Sequence, residues 1–138
     1  MPNYFYEDEQ KKERIKESLL TDRAQLWAKS FINPKQPKDK LTSTQIRKFH
    51  IEAKELEERV KNLENPDEDF KKIRPLVKMM KAKVAYACRT SAKEKKVPEE
   101  FRNYIEEMVD NIEDWKDFKA FALCFESVVG FFYGQGGR

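Results

Sequence analysis

Eight Lys or Arg residues and no Asp or Glu lie between residues 71 and 93, in KKIRPLVKMMKAKVAYACRTSAK. A solvated helix face ordinarily mixes both signs, because opposite charges three and four residues apart attract. A stretch of one sign forgoes those pairs and adds self-repulsion, so its counter-charge must come from elsewhere. Phosphates are one source, since a row of Lys and Arg is the electrostatic footprint of a protein that grips a nucleic-acid backbone. The bland alternatives are a solvated lysine-rich face and a face that meets an acidic protein. No base-reading motif accompanies the row, neither an aromatic RNP pattern nor a GXXG loop, so such binding would be indifferent to sequence. Tyr86 beside Lys83 could stack on a base, although a single Tyr on a helix flank more often packs.

Other chemistry has little to stand on. His50 is the only histidine, and Phe49 and Ile51 flank it, which suits a boundary imidazole better than a general base. Cys88 and Cys124 sit among apolar residues with no CxxC, so buried free thiols are expected and a zinc site is not. The acid pairs Glu57-Glu58, Glu99-Glu100 and Glu106-Glu107 are sequence neighbours that point in different directions on a helix and read as solvated surface. GQGGR has no strand before it and no helix after it, which excludes a phosphate-cradling glycine loop. No catalytic residue, metal or cofactor is expected.

The elements that must position the cations are helical. The chain has 138 residues, 39% hydrophobic and 38% charged, with ten Phe and only four Gly. That size fits one domain, and the composition fits an all-α fold. Net charge is only +3, but residues 97–114 carry seven acids and one Arg, so the charge is strongly segregated. No signal-peptide core and no membrane-length apolar run is present, and a cytoplasmic protein is expected.

Residues 1–20 read as a charged, partly mobile helical lead-in. TDRAQLWAKSFI is a helix that Thr21 can cap, and NPKQPKDK is a loop. LTSTQIRKFHIEAKELEERVKNLEN opens on a capping box of Thr42 and Gln45. Its stripe is Ile46, Phe49, Ala53, Leu56, Val60 and Leu63. Asn65 and Pro66 open the next element, and Pro75 either starts the basic helix or kinks it. If that helix runs on, Ile73, Val77, Met80, Val84 and Ala87 form its apolar stripe. Lys71, Arg74, Lys78, Lys81, Arg89, Lys93 and Lys96 would then share an arc of roughly 120° opposite. VPEEFRNYIEEMVDNIED is a fourth helix. The Phe-rich DWKDFKAFALCFESVVGFFYG is a fifth, apolar around more than half its circumference and stopped by Gly134. The expected architecture is a compact bundle of about five helices over residues 21–134, with a disordered tail at 135–138.

Three blocks in this order, LTSTQIRKFHIEAKELE, MMKAKVAYACRTSAK and FKAFALCFESVVGFFYGQGG, resemble the small helical subunit of type III-A CRISPR interference complexes. The first fits a Gln-Ile-Arg-x-Phe pattern through Gln45, Ile46, Arg47 and Phe49. The second fits a Lys-x-x-Tyr-x-x-x-Arg core through Lys83, Tyr86 and an Arg at 89 or nearby, with Cys88 where a small residue is usual. The third ends in Tyr133 and glycines. The resemblance implies a non-catalytic subunit that stacks with copies of itself in a short filament, along the duplex of CRISPR RNA and target RNA. It also implies contact with RAMP-type backbone subunits and the large polymerase-like subunit. It nominates Arg47, Lys83 and Arg89 for RNA binding, and the helical arcs add Lys48, Lys54, Lys78 and Lys81. The rival expectation is a helical adaptor that binds an acidic protein surface and no RNA.

Overall fold

The computed structural model describes residues 3–89 and 95–138, so Lys93 of the expected arc lies outside the described residues. Five α-helices follow one another: α1 (Asp22–Ile32), α2 (Ser43–Lys61), α3 (Pro66–Ala87), α4 (Glu99–Asp110) and α5 (Trp115–Gly134). Among the described residues no strand forms beyond an isolated bridge between Tyr6 and Ile15. The fold is all-α.

The helix starts follow local chemistry. At α2 the Gln45 N–H donates to Thr42 Oγ1 (3.2 Å) and the Thr42 N–H to Gln45 Oε1 (2.9 Å), which completes the capping box. At α5 the Asp114 carboxylate accepts the Asp117 N–H at 2.8 Å. Pro66 occupies the first turn of α3, and Asp67, Glu68 and Asp69 place negative charge at its positive end. Pro75 does not start α3, which opens at Pro66 and continues through Pro75. The apolar stripes on both sides hold the helix where a proline alone would weaken it.

α5 is the centre of the bundle. α1 and α2 pack along it, while α3 lies chiefly against α4. Ten of its residues are buried, which accounts for the broad apolar circumference in the sequence. Around it Phe31, Phe49, Phe101 and Tyr104 meet edge to face, and Phe121 stacks on Phe125 at 5.7 Å between centroids. Each such ring removed from water contributes about 1.5–3 kcal/mol.

Three expectations are corrected. Residues 3–16 are not a helical lead-in; they fold back as a turn whose Phe5 and Tyr6 are buried in the common core. The anchors are the aromatics ahead of the charged run. Asp8 closes the turn by accepting the Glu13 and Arg14 N–H groups, and these bonds hold its carboxyl below the usual range. Lys12, at φ 51°, reaches Asp114 (2.7 Å) and the buried Asp117 (3.0 Å). Thr21 precedes α1 but does not cap it: its hydroxyl donates to Glu17 O at 2.9 Å. At the other end α5 stops at Gly134 as expected, but the tail beyond it is hydrogen-bonded rather than loose. Gly136 takes φ +92° and the Gly137 N–H donates to Phe132 O at 2.8 Å. Gly136 supplies the left-handed conformation that glycine favours just past a helix end.

Candidate nucleic-acid interface

The seven cations nominated by the sequence do not form one ridge. On α3, Val77, Met80 and Val84 are buried. Lys83 follows Lys81 by two residues, about 200° around the helix, so the two lie on opposite flanks. On the α4 side, Lys81 pairs with Asp110. Lys78 donates to the Val109 and Ile112 carbonyls at 2.7 and 3.0 Å, and so caps the C-terminal end of α4. On the α2 side, Lys83 pairs with Glu52 at 2.7 Å. Lys54 leaves the opposite flank of α2 and pairs with Glu126 of α5 at 2.9 Å.

The expected cationic arc is cut short: Lys71, Arg74, Lys78 and Lys81 keep it on α3, but Arg89 and Lys96 lie beyond the helix. α3 ends at Ala87, so Lys96 lies off the helix, and it pairs with the buried Asp39 at 3.6 Å. Lys71 pairs with Glu68 at 3.4 Å. Part of the counter-charge comes from the protein itself: Lys71, Lys81 and Lys83 have carboxylate partners, and the acidic α4, with the negative end of its dipole, lies along the α3 flank of Lys78 and Lys81. Among the described residues Lys72, Arg74 and Arg89 have no carboxylate within ion-pair distance.

Electrostatics rank the candidates. The hydrogen bond from Lys54 raises that lysine's pKa and lowers that of Glu126. Asp110 raises Lys81 in the same way. Burial, followed by repulsion from Arg74, lowers Lys78. An exposed ion pair is weak and screened by salt, so a phosphate can compete for Lys54, Lys81 or Lys83. The gain is small, because each displaced carboxylate remains close by. Lys78 would also have to surrender two backbone carbonyls.

Arg47, Lys48 and Arg89 differ. Arg47 and Lys48 are exposed in the first turns of α2. Among the described residues, none of the three has a carboxylate within ion-pair distance. Arg89 donates to Tyr86 O at 2.8 Å, and its guanidinium lies 3.5 Å from the Tyr86 ring centroid. The Lys83–Glu52 pair joins α2 to α3. Gln45 Nε2 donates to Lys95 O at 2.8 Å, and the Val97 N–H donates to Ala87 O at 3.0 Å. These bonds tie the start of α2, the end of α3 and residues 95–97 into one end of the bundle. Arg47 and Lys48 in the first turns of α2 and Arg89 just past α3 belong to these segments. Lys83 sits on the α2-facing flank of α3, whereas Lys78 and Lys81 sit on its α4-facing flank and Lys54 pairs across to α5. Lys95, exposed at the same end, was not nominated. Nothing in its local sequence marks it, and only the Gln45 bond brings it in.

The remaining reactive groups are poorly placed for catalysis. His50 packs edge-on against Phe125 at 5.7 Å, and its buried Nε2 has no hydrogen-bond partner. Burial first, and Lys54 second, lower its pKa. Cys88 and Cys124 are buried free thiols. Burial raises both, Cys124 to about 11, beside the Tyr104 hydroxyl. Among the described residues no three His, Cys, Asp or Glu side chains converge as a metal site. No helix of the described residues is long and apolar enough to cross a membrane.

Comparison with curated proteins and with solved structures returned no match. A family described as Csm2 Type III-A matches residues 14–137, a span that takes in all five helices. The chain belongs to the Csm2 type III-A family, the small structural subunit of type III-A CRISPR effector complexes.

Proposed function

We propose that this subunit is non-catalytic and touches the phosphate backbone of CRISPR RNA and target RNA through the end of the bundle that holds Arg47, Lys48, Lys83, Arg89 and Lys95. The observation that carries the reading is the exposure of Arg47, which fits the family pattern with Lys83 and Arg89, and of its neighbour Lys48, both without a carboxylate partner among the described residues. Lys54, Lys78 and Lys81 serve the fold in this reading. Binding is sequence-tolerant and steeply dependent on salt. The setting is a cytoplasmic ribonucleoprotein for antiviral defence, with RAMP-type backbone subunits, the large polymerase-like subunit and further copies of this chain as neighbours. The Phe-rich α5 is spent on the core, so stacking falls to surfaces such as the outer faces of α2 and α3, where Ile51 and Met79 are exposed.

Filter binding of single-stranded RNA at several salt concentrations tests this. Changing Arg47 and Lys48 together to Ala removes two phosphate contacts, so the slope of log affinity against log salt should fall by about 1.4. A Lys54→Ala/Lys81→Ala control should bind as the parent does. If the two double variants lose affinity equally, the assignment to this end of the bundle is wrong. If the parent binds no RNA but binds an acidic protein, the adaptor reading replaces it.

A further inference from the structure

Tyr86 follows the buried Val84 by two residues, about 200° around α3, and so points away from the core. It is 66% exposed, which rules out the packing role usual for a tyrosine on a helix flank. Arg89 does not bury it. The guanidinium rests on the ring at 3.5 Å from the centroid and is held there by its bond to Tyr86 O at 2.8 Å. A planar cation lies against an aromatic ring whose surface still faces mainly water. Lys83, one turn back on α3, flanks it.

We infer that Tyr86 with Arg89 is a stacking platform for an unpaired nucleobase. The inference rests on the RNA reading above and deepens it: the substrate of this end of the bundle is a strand with at least one base out of its stack, and not a backbone alone. The exposed part of the ring offers a π-surface that any base can cover, and the guanidinium reinforces it by cation–π attraction. The arrangement needs no base-edge hydrogen bonds, so it adds affinity without adding sequence preference. Because α3 and the Arg89–Tyr86 backbone bond fix both groups, little ordering accompanies binding.

The test compares two ligands on the isolated chain at one salt concentration: oligouridylate, and an abasic ribose-phosphate chain of equal length. The parent should bind oligouridylate about tenfold more tightly, the scale of one base stacked on an aromatic side chain. Tyr86→Phe should keep that ratio. Tyr86→Ala should bring it to about one, with affinity for the abasic chain and the melting temperature unchanged. Arg89→Lys, which keeps the charge but not the plane, should lower the ratio in part. A parent ratio of one, or a Tyr86→Ala variant that keeps the parent ratio, overturns the platform while leaving backbone binding intact. Equal loss for both ligands in Tyr86→Ala overturns it as well, as does an effect confined to capture of a protein partner. Absence of binding to either chain overturns the RNA reading itself.

Discussion

Lys78 lies in the basic stretch that drew attention to this protein, yet its ammonium is committed to the carbonyls of Val109 and Ile112. Replacing it by Met keeps the apolar stem and removes the charge and both donors. Hydrogen bonds to a charged donor contribute about 1.5–3 kcal/mol each. Two of them set an upper bound of about 6 kcal/mol, and the observed loss should be well below it. The half-buried ammonium already gives up part of its hydration, as the lowered pKa shows, and water can replace it at the end of α4. A net loss of about 2 kcal/mol is expected. For a domain of this size that lowers the melting temperature by roughly 6–10 °C. Thermal and urea melts followed by helical circular dichroism check the stability, and filter binding checks the RNA affinity, which should not change at temperatures well below the melt. A variant that melts like the parent but binds RNA several-fold more weakly would refute the reasoning, because Lys78 would then be a phosphate ligand and not a helix cap.

Three further outcomes follow from the geometry. Thr42→Ala breaks the capping box at α2 and should cost about 1 kcal/mol in a urea melt. Lys12→Met leaves the buried Asp117 without its cation; a loss of about 2 kcal/mol is expected at neutral pH, shrinking as acid protonates that carboxyl, whose pKa burial already raises. The depressed pKa of His50 means that the unfolded chain takes up its proton first as pH falls. Its contribution is therefore present above about pH 6.5 and lost on acidification, so His50→Leu should show a flatter decline in melting temperature between pH 7 and 5. The groups that set this response are Lys54 and Glu57 on α2 and Glu126 on α5, and carboxylates common to both proteins cancel in the comparison.

Local signals were the legible ones. Thr42 and Gln45 announce their capping box within four residues, and the stripes at Ile46–Phe49–Ala53 and Val77–Met80–Val84 announce the buried faces of α2 and α3. The charge on α3 was misleading because its resolution is tertiary. Nothing in residues 71–93 says that Lys81 will meet Asp110 or that Lys78 will reach the Val109 and Ile112 carbonyls at and just past the end of α4, about 30 residues on. The segregation of basic residues 71–93 from acidic residues 97–114 was visible, but only helix packing turns it into pairing. The same limit hid the N-terminal turn. Tyr4, Phe5 and Tyr6 form a short aromatic cluster without periodicity, and their partners lie more than a hundred residues away, at Glu107 and Lys116.

Those partners bear on how the molecule comes into being. The Tyr6 hydroxyl donates to Lys116 O, and Lys12 closes onto Asp114 and Asp117, so part of the seat for residues 3–16 is the start of α5. On a ribosome they must wait, aromatic rings exposed, until that helix has emerged, and contacts so far apart along the chain are slow to close. A change that keeps residues 3–16 from reaching α5 would leave open the seam that Lys12 and Tyr6 close.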